Sequence, residues 1–162
     1  MNIKEIKKLK KLCENKDIKI SLAESCTGGL ISSSLTSIAG SSNFFESGIV
    51  SYSNKAKIEL LGVDKDLISK YGAVSEEVAL SMSKNLYRLT RSNICVSVTG
   101  IAGPSGASKQ KPVGTVYFSI YHDYESKINF INYKKFFNFK SRSTIQKKCN
   151  DFVIKSLIKL IG

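Results

Sequence analysis

Ile18-Lys19-Ile20-Ser21-Leu22-Ala23-Glu24-Ser25-Cys26-Thr27-Gly28-Gly29 runs from an alternating apolar stretch into a serine, a threonine and a glycine pair. Ile18, Ile20 and Leu22 alternate as in a strand, and Ile31, Leu35 and Ile38 then recur at helical spacing up to Ala39-Gly40, where Gly40 serves as a stop. A strand that turns directly into a helix is the building step of an α/β fold. The segments on either side repeat it. Upstream, residues 3–16 read as an amphipathic helix with Ile3, Ile6, Leu9, Leu12 and Cys13 near one face. Downstream, a strand is expected at roughly 47–52, and a short helix capped by Ser53 or Asn54 through Leu61. A second short helix follows near 64–71. Ser75-Glu76-Glu77-Val78 opens a longer helix with Val78, Met82, Leu86 and Leu89 as its buried stripe. Residues 93–99 form a strand, 100–112 a long Gly/Pro/Ser loop, and 113–121 and 128–137 a hairpin about the polar 123–126 turn. A last helix spans 142–161 with Ile145, Cys149, Phe152 and Leu160 inward. Interleaved helices and strands plus a hairpin predict a three-layer α/β/α domain around a mixed β-sheet, one domain over residues 1–162.

The composition narrows the class. Apolar residues make up 42% of 162 and are spread along the chain, as in a globular protein. No apolar run is long enough to span a bilayer, so no membrane partner is expected. The N-terminus alternates charge with apolar residues and lacks the apolar core of a signal peptide, which makes the cytoplasm the expected compartment. Cysteines 13, 26, 95 and 149 have neither the pairing of a disulfide framework nor the spacing of a zinc site, and no metal is expected. The formal charge is +12, and nine Lys or Arg in residues 127–162 face one acid, Asp151. Lysine supplies most of the cations, alongside abundant Ile and Asn. AT-rich codon bias accounts for that mix better than nucleic-acid binding, which calls for Arg-rich or aromatic-interleaved patches.

Three segments can carry chemistry. A serine between a strand end and a glycine pair is well placed as a nucleophile, with helix N–H groups beyond Gly28 available to an oxyanion or an anionic ligand. A tight turn capped by Thr27 explains the same residues. Serine needs a base. The one histidine, His122, sits at the far end of a strand and reads as a half-exposed surface residue, so neither a Ser-His-Asp triad nor a Cys26–His122 pair is expected. Lys55 is the candidate base, at a strand end and in the first turn of a helix, where the dipole disfavours its charge. Tyr52 stands three residues before it. A solvated surface lysine is the plainer reading of Lys55. The third segment, Ser97-Val98-Thr99-Gly100-Ile101-Ala102-Gly103-Pro104-Ser105-Gly106, leaves a strand as a glycine-rich loop able to expose N–H groups to an anion. It is neither a Walker loop nor a dinucleotide fingerprint.

Together these segments resemble the CinA C-terminal domain family, the nicotinamide-nucleotide amidases of the competence/damage-inducible group. The resemblance rests on Ala23–Gly29, Ala39-Gly40-Ser41-Ser42, Tyr52-Ser53-Asn54-Lys55-Ala56-Lys57, Gly72-Ala73-Val74-Ser75-Glu76, Thr99-Gly100-Ile101-Ala102-Gly103-Pro104 and Lys111-Pro112-Val113-Gly114-Thr115-Val116, in the family's order and spacing over roughly residues 5–160. It implies a cytoplasmic bacterial hydrolase of nicotinamide mononucleotide, yielding nicotinate mononucleotide and ammonia for NAD recycling, with no cofactor. It maps the nucleophile to Ser25 and the assisting residues to Tyr52 and Lys55. Thr27, Gly28, Gly29, Thr99, Gly100, Ala102, Gly103 and Arg142 are the expected substrate contacts, with arginine suited to the phosphate. The family's Gly-Asp-Arg before the last helix is Lys140-Ser141-Arg142 here, and its Pro-Asp-Gly-Gly is Pro104-Ser105-Gly106-Ala107; each change removes an acid. A nucleotide-binding module without turnover is the alternative. The N-terminal domain of many relatives is absent from this sequence, so a stand-alone amidase is expected. A second apolar row on the last helix, Ile154, Ile158 and Ile161, calls for a partner, either another subunit or the first helix.

Overall fold

The computed structural model describes residues 2–123, 129–139 and 141–162. Five strands form one mixed sheet in the order β2-β1-β3-β4-β5. β1 (Ile20–Glu24) lies between β2 (Phe45–Val50) and β3 (Ile94–Gly100), parallel to both. β4 (Thr115–His122) and β5 (Asn129–Phe136) continue the sheet antiparallel as the expected hairpin. Residues 124–126 of its connecting turn lie outside the described residues, as does Lys140.

The sheet is covered on both sides. Alternate residues of β1, β3 and β4 (Ile20 and Leu22, Ile94 and Val96, Phe118 and Ile120) pack against α1 (Ile3–Asn15), α2 (Leu30–Leu35) and the C-terminal helix α6 (Arg142–Ile161). Ala23, Cys95 and Tyr121 point the other way, toward α3 (Asn54–Leu61), α4 (Lys65–Tyr71) and α5 (Glu76–Thr90). This is the predicted α/β/α arrangement, and it follows from the period-2 alternation of a sheet buried on both faces. The α5 side is fitted with small hydroxyl residues as well as apolar ones. Ser83 Oγ meets Ser119 Oγ at 2.9 Å, and Ser97 donates to the Ala79 carbonyl at 2.5 Å.

Several expectations shift in detail. α2 stops at Leu35 instead of reaching Ile38, because Ser34, Thr36 and Ser37 bond their hydroxyls to local carbonyls and compete with helix propagation. β2 begins and ends two residues earlier than expected, leaving Ser51 and Tyr52 beyond the strand. Leu89 is exposed instead of buried: the stripe runs Val78, Ala79, Met82, Ser83 and Leu86, and Leu89 lies in the last turn beyond it. Phe152 and Leu160 are half-buried, Phe152 meeting Phe118 at a tilt and Tyr133 edge-to-face at centroid distances of 4.7 and 5.1 Å. The second apolar row of α6 is covered by the chain's own first helix: Ile154 and Ile161 share the core with Ile6 and Leu9. No helix among the described residues is long and apolar enough to cross a membrane.

Gly114 joins the long loop to β4 at φ +96°, and a Cβ there would lie 2.1 Å from the Phe137 carbonyl oxygen. Its own N–H donates to Ile101 O at 2.7 Å. Gly114→Ala combines backbone strain with a backbone clash and is expected to cost about 2 kcal/mol or more. A lowered urea midpoint at unchanged slope would register it.

Candidate active site

Parallel strands β1 and β3 end side by side, and the chain leaves them in different directions. β1 leads through α2 to β2 on one flank, while β3 lies on the other. Such a switch point opens a crevice beyond the carboxyl ends of the strands. Here the crevice is a cavity of about 290 Å³. Ser25 and Cys26 reach it from the end of β1, and Tyr52, Asn54 and Lys57 from the β2–α3 junction. Thr99 and Gly100 at the end of β3, the loop that follows them, Ala73 and Val74 before α5, and Arg142 at the start of α6 complete the wall.

Ser25 sits one residue past β1 and keeps the sheet's pairing, its N–H donating to Val98 O at 3.0 Å. Its hydroxyl is 2.9 Å from the amine of Lys57, which also donates to Ser51 O at 2.8 Å. Lys57 is 1% exposed. Burial lowers its pKa from the ordinary lysine range, the nearby Cys26 opposing this weakly. Among the described residues no carboxylate forms an ion pair with it. The amine donates to both the Ser51 carbonyl and the Ser25 hydroxyl; in its neutral form it would keep a lone pair able to receive the Ser25 proton.

The lysine at the serine is therefore Lys57 and not Lys55. The Lys55 side chain is 79% exposed and forms an i,i+4 ion pair with Glu59 at 3.8 Å. Two residues on a helix differ by about 200° in direction, so both lysines cannot face the cavity. The sequence held the signal. Lys55 shares its helix face with Glu59, whereas Lys57 shares its face with Leu61, which is buried.

The helix end expected to receive an anion is already filled. Glu24, 1% exposed, accepts from the N–H groups of Gly29 (3.1 Å), Ile31 (3.2 Å) and Ser32 (2.7 Å) and from Ser32 Oγ (2.7 Å). The Gly28 and Leu30 N–H groups donate to Ser25 O and Thr27 O. Gly29, not Thr27, is the cap of α2, and the buried Thr27 hydroxyl has no hydrogen-bond partner among the described residues. Thr27, Gly28 and Gly29 are not among the residues that line the cavity. In this turn the N–H groups of Cys26 and Thr27 carry no such commitment. Sequence reading passed over Glu24, although a glutamate directly before a strand-to-helix turn is within reach of the helix's first amides.

Thr99, Gly100, Ala102, Gly103 and Arg142 all line the cavity. The Thr99 hydroxyl is bound to Ala73 O at 2.8 Å. Arg142 donates to Gly103 O at 2.9 Å and to the Tyr52 hydroxyl at 2.7 Å. Tyr52 thus faces the arginine, and no hydrogen bond joins it to Lys57. One turn along α6, Gln146 donates to Cys26 O at 2.9 Å and ties the helix to the Ser25 turn. Ser141 caps α6 by accepting from Thr144 N–H, a task serine and aspartate perform about equally. Of the two lost acids, only the one at Ser105 falls on the cavity wall. His122 is 5% exposed, against the expectation of a half-exposed residue. It pairs with Ile94 at the opposite end of β3 from Val98, the partner of Glu24, roughly 13 Å along the strand.

Comparison with known proteins gives a consistent result. The family model described as the CinA C-terminal domain matches residues 3–161. A CinA-like protein of Petrotoga mobilis is 44% identical over 147 residues, which is 88% of this chain and 34% of that protein. One from Thermotoga neapolitana is 41% identical over 91% of this chain and 35% of its own length. The chain thus spans about a third of the length of these curated relatives. Among solved structures, the competence/damage-inducible protein CihA of Agrobacterium tumefaciens superposes with a TM-score of 0.88 at 36% identity, covering 98% of this chain and 96% of that one. A CinA superfamily protein of Klebsiella pneumoniae reaches 0.91 at 24% identity, covering 99% and 98%, a likeness of fold.

Proposed function

Because this chain belongs to the CinA C-terminal domain family, we propose that it is an amidohydrolase that converts nicotinamide mononucleotide to nicotinate mononucleotide and ammonia, with Ser25 as nucleophile and Lys57 as base. The observation that carries this reading is the 2.9 Å contact between the Ser25 hydroxyl and a buried lysine that pairs with no carboxylate among the described residues. Burial in that setting favours the neutral amine, the form a base requires.

The steps follow from the geometry. Lys57 takes the Ser25 proton as Oγ attacks the carboxamide carbon. The oxyanion that forms is received by the N–H group of Cys26, a donor on the cavity wall that Glu24 leaves free. The ammonium of Lys57 returns its proton to the departing nitrogen, and ammonia leaves an acyl-serine. Lys57 then deprotonates a water, which attacks the acyl carbon and releases the carboxylate and Ser25. The whole cycle needs no cofactor. The phosphate is assigned to Arg142, whose guanidinium can exchange its Tyr52 bond for a phosphate oxygen. Tyr52 thereby belongs to substrate placement instead of proton relay. The reading extends to a cytoplasmic enzyme of NAD recycling that acts without nucleic acid.

Ammonia release from nicotinamide mononucleotide by the purified protein tests the proposal. Absence of turnover together with calorimetric binding of the mononucleotide would select the binding-module reading, for which the lost acid at Ser105 is the one observation. Arg142→Lys keeps the charge and loses the planar fork. It is expected to raise KM for the mononucleotide about tenfold while kcat changes less than threefold. An unchanged KM would place the phosphate elsewhere.

A further inference from the structure

Glu24 is a fully buried acid that no step above uses. Its carboxylate has about four acceptor sites, and four donors fill them, two on each oxygen. It therefore has no capacity left for a substrate proton. Its charge is balanced by amide dipoles at the start of α2 and not by a cation. The contacts close a ring: the chain leaves β1 at Glu24, passes through Ser25–Gly28, and returns to Glu24's own side chain at Gly29. Ser32, which supplies two of the donors, is fitted against β2 where Gly48 lacks a side chain. A Cβ on Gly48 would lie 2.3 Å from Ser32 Oγ.

We infer that Glu24 is a positioning residue: its carboxylate, by closing the ring from Glu24 to Gly29 and Ser32, holds the Ser25 hydroxyl on the Lys57 amine. This rests on the Ser25–Lys57 reading for its catalytic consequence, while the geometric part stands by itself. The two atoms of that pair come from separate junctions, the end of β1 and the first turns of α3. α3 meets the Ser25 hydroxyl through the Lys57 amine, and the Ser25 backbone is held from other directions. The constraints on Ser25 are its N–H on Val98, its carbonyl on Gly28, and the ring. Loss of the ring frees one side of the turn, and a shift near 1 Å at the reacting atom costs on the order of 100-fold in rate.

Glu24→Gln is close in shape but replaces one accepting oxygen with an NH₂ group. That group faces either the Ser32 donors or the Gly29 and Ile31 N–H groups, so one pair always loses its acceptor. With nicotinamide mononucleotide as substrate, kcat per folded molecule is expected to fall roughly 30- to 100-fold while KM stays within about threefold. Folded fraction is set by thermal unfolding on the same samples. Gly48→Ala pushes Ser32 away from Glu24 without touching the acid and is expected to lower kcat in the same sense, which keeps the test open if Glu24→Gln fails to fold. A crystal structure of either variant supplies a readout independent of activity. The Ser25 Oγ to Lys57 Nζ separation is expected to exceed hydrogen-bond reach. An unchanged contact, a kcat per folded molecule within threefold of the parent, or a loss expressed in KM alone would overturn the inference. An inactive parent protein would instead remove the amidase reading and leave the crystallographic test to decide the role of Glu24.

Discussion

Lys57→Met is expected to abolish ammonia release to within about 1% of the parent rate or below, since loss of a general base costs on the order of 100- to 10,000-fold. Lys55→Met is expected to stay within threefold, because that side chain is in solvent, paired with Glu59. The pair of variants discriminates sharply between two lysines only two positions apart. The parent's kcat/KM should rise with pH as Lys57 loses its proton, with a midpoint displaced below the usual lysine value by burial. In Lys57→Met that limb should vanish from whatever activity remains. A rate within a few-fold of the parent, or an unaltered pH profile, would remove Lys57 from the mechanism.

The same substitution has the opposite sign for stability. The folded state disfavours the charged amine, so between the depressed folded pKa and the ordinary one the unfolded chain binds more protons. Stability therefore rises with pH across that window, and below it the full penalty for a buried charge is in force. Methionine removes the penalty and keeps most of the volume. Lys57→Met is expected to unfold at the same temperature as the parent at pH 7 or at a higher one, while being inactive. That trade is the mark of a group retained for chemistry.

Ser25→Ala is expected to remove at least about 1,000-fold of turnover, because nucleophile and base act as a unit and the loss of either forfeits the covalent route. The alanine fits the space, and the N–H to Val98 is a backbone bond that survives. Calorimetric affinity for the mononucleotide should stay within a few-fold. In the parent, rapid quenching followed by mass measurement should find the nicotinoyl mononucleotide acyl group on Ser25, and in the variant none. Full ammonia release by Ser25→Ala would falsify the nucleophile assignment.

The layer order and nearly every element could be read from the chain, since alternation in β1 and β3 and the helical spacing in α5 and α6 are long-range repeats that burial enforces. Where the reading slipped, short-range chemistry decided. A run of serine and threonine hydroxyls ended α2 early. At the site, the Ser25 turn and the glycine-rich loop after β3 stood out by residue type and position, and Arg142 through the family resemblance. Lys57 was missed because its neighbours were weighed along the chain and not around the helix, where its alignment with Leu61 marks the buried face. The filling of the α2 N-terminus depends on a side chain folding back over its own turn. Residue spacing allows that contact without requiring it, so the amides beyond Gly28 were read as open to a ligand, whereas Glu24 takes those of Gly29, Ile31 and Ser32.

The switch point between β1 and β3 has an evolutionary consequence. Each part of the proposed chemistry enters the cavity from a different junction: the nucleophile after β1, the base after β2, the recognition loop after β3, and the arginine after β5. Such parts can diverge one at a time. The nucleophile and base are tied to buried neighbours and tolerate little. The 101–111 loop is bound to the sheet mainly at its two ends and is free to change length and sequence. Descendants of this scaffold would keep the acylation apparatus and exchange the amide they accept, and a laboratory search for new substrates would best begin by randomising the stretch from Pro104 to Ser108.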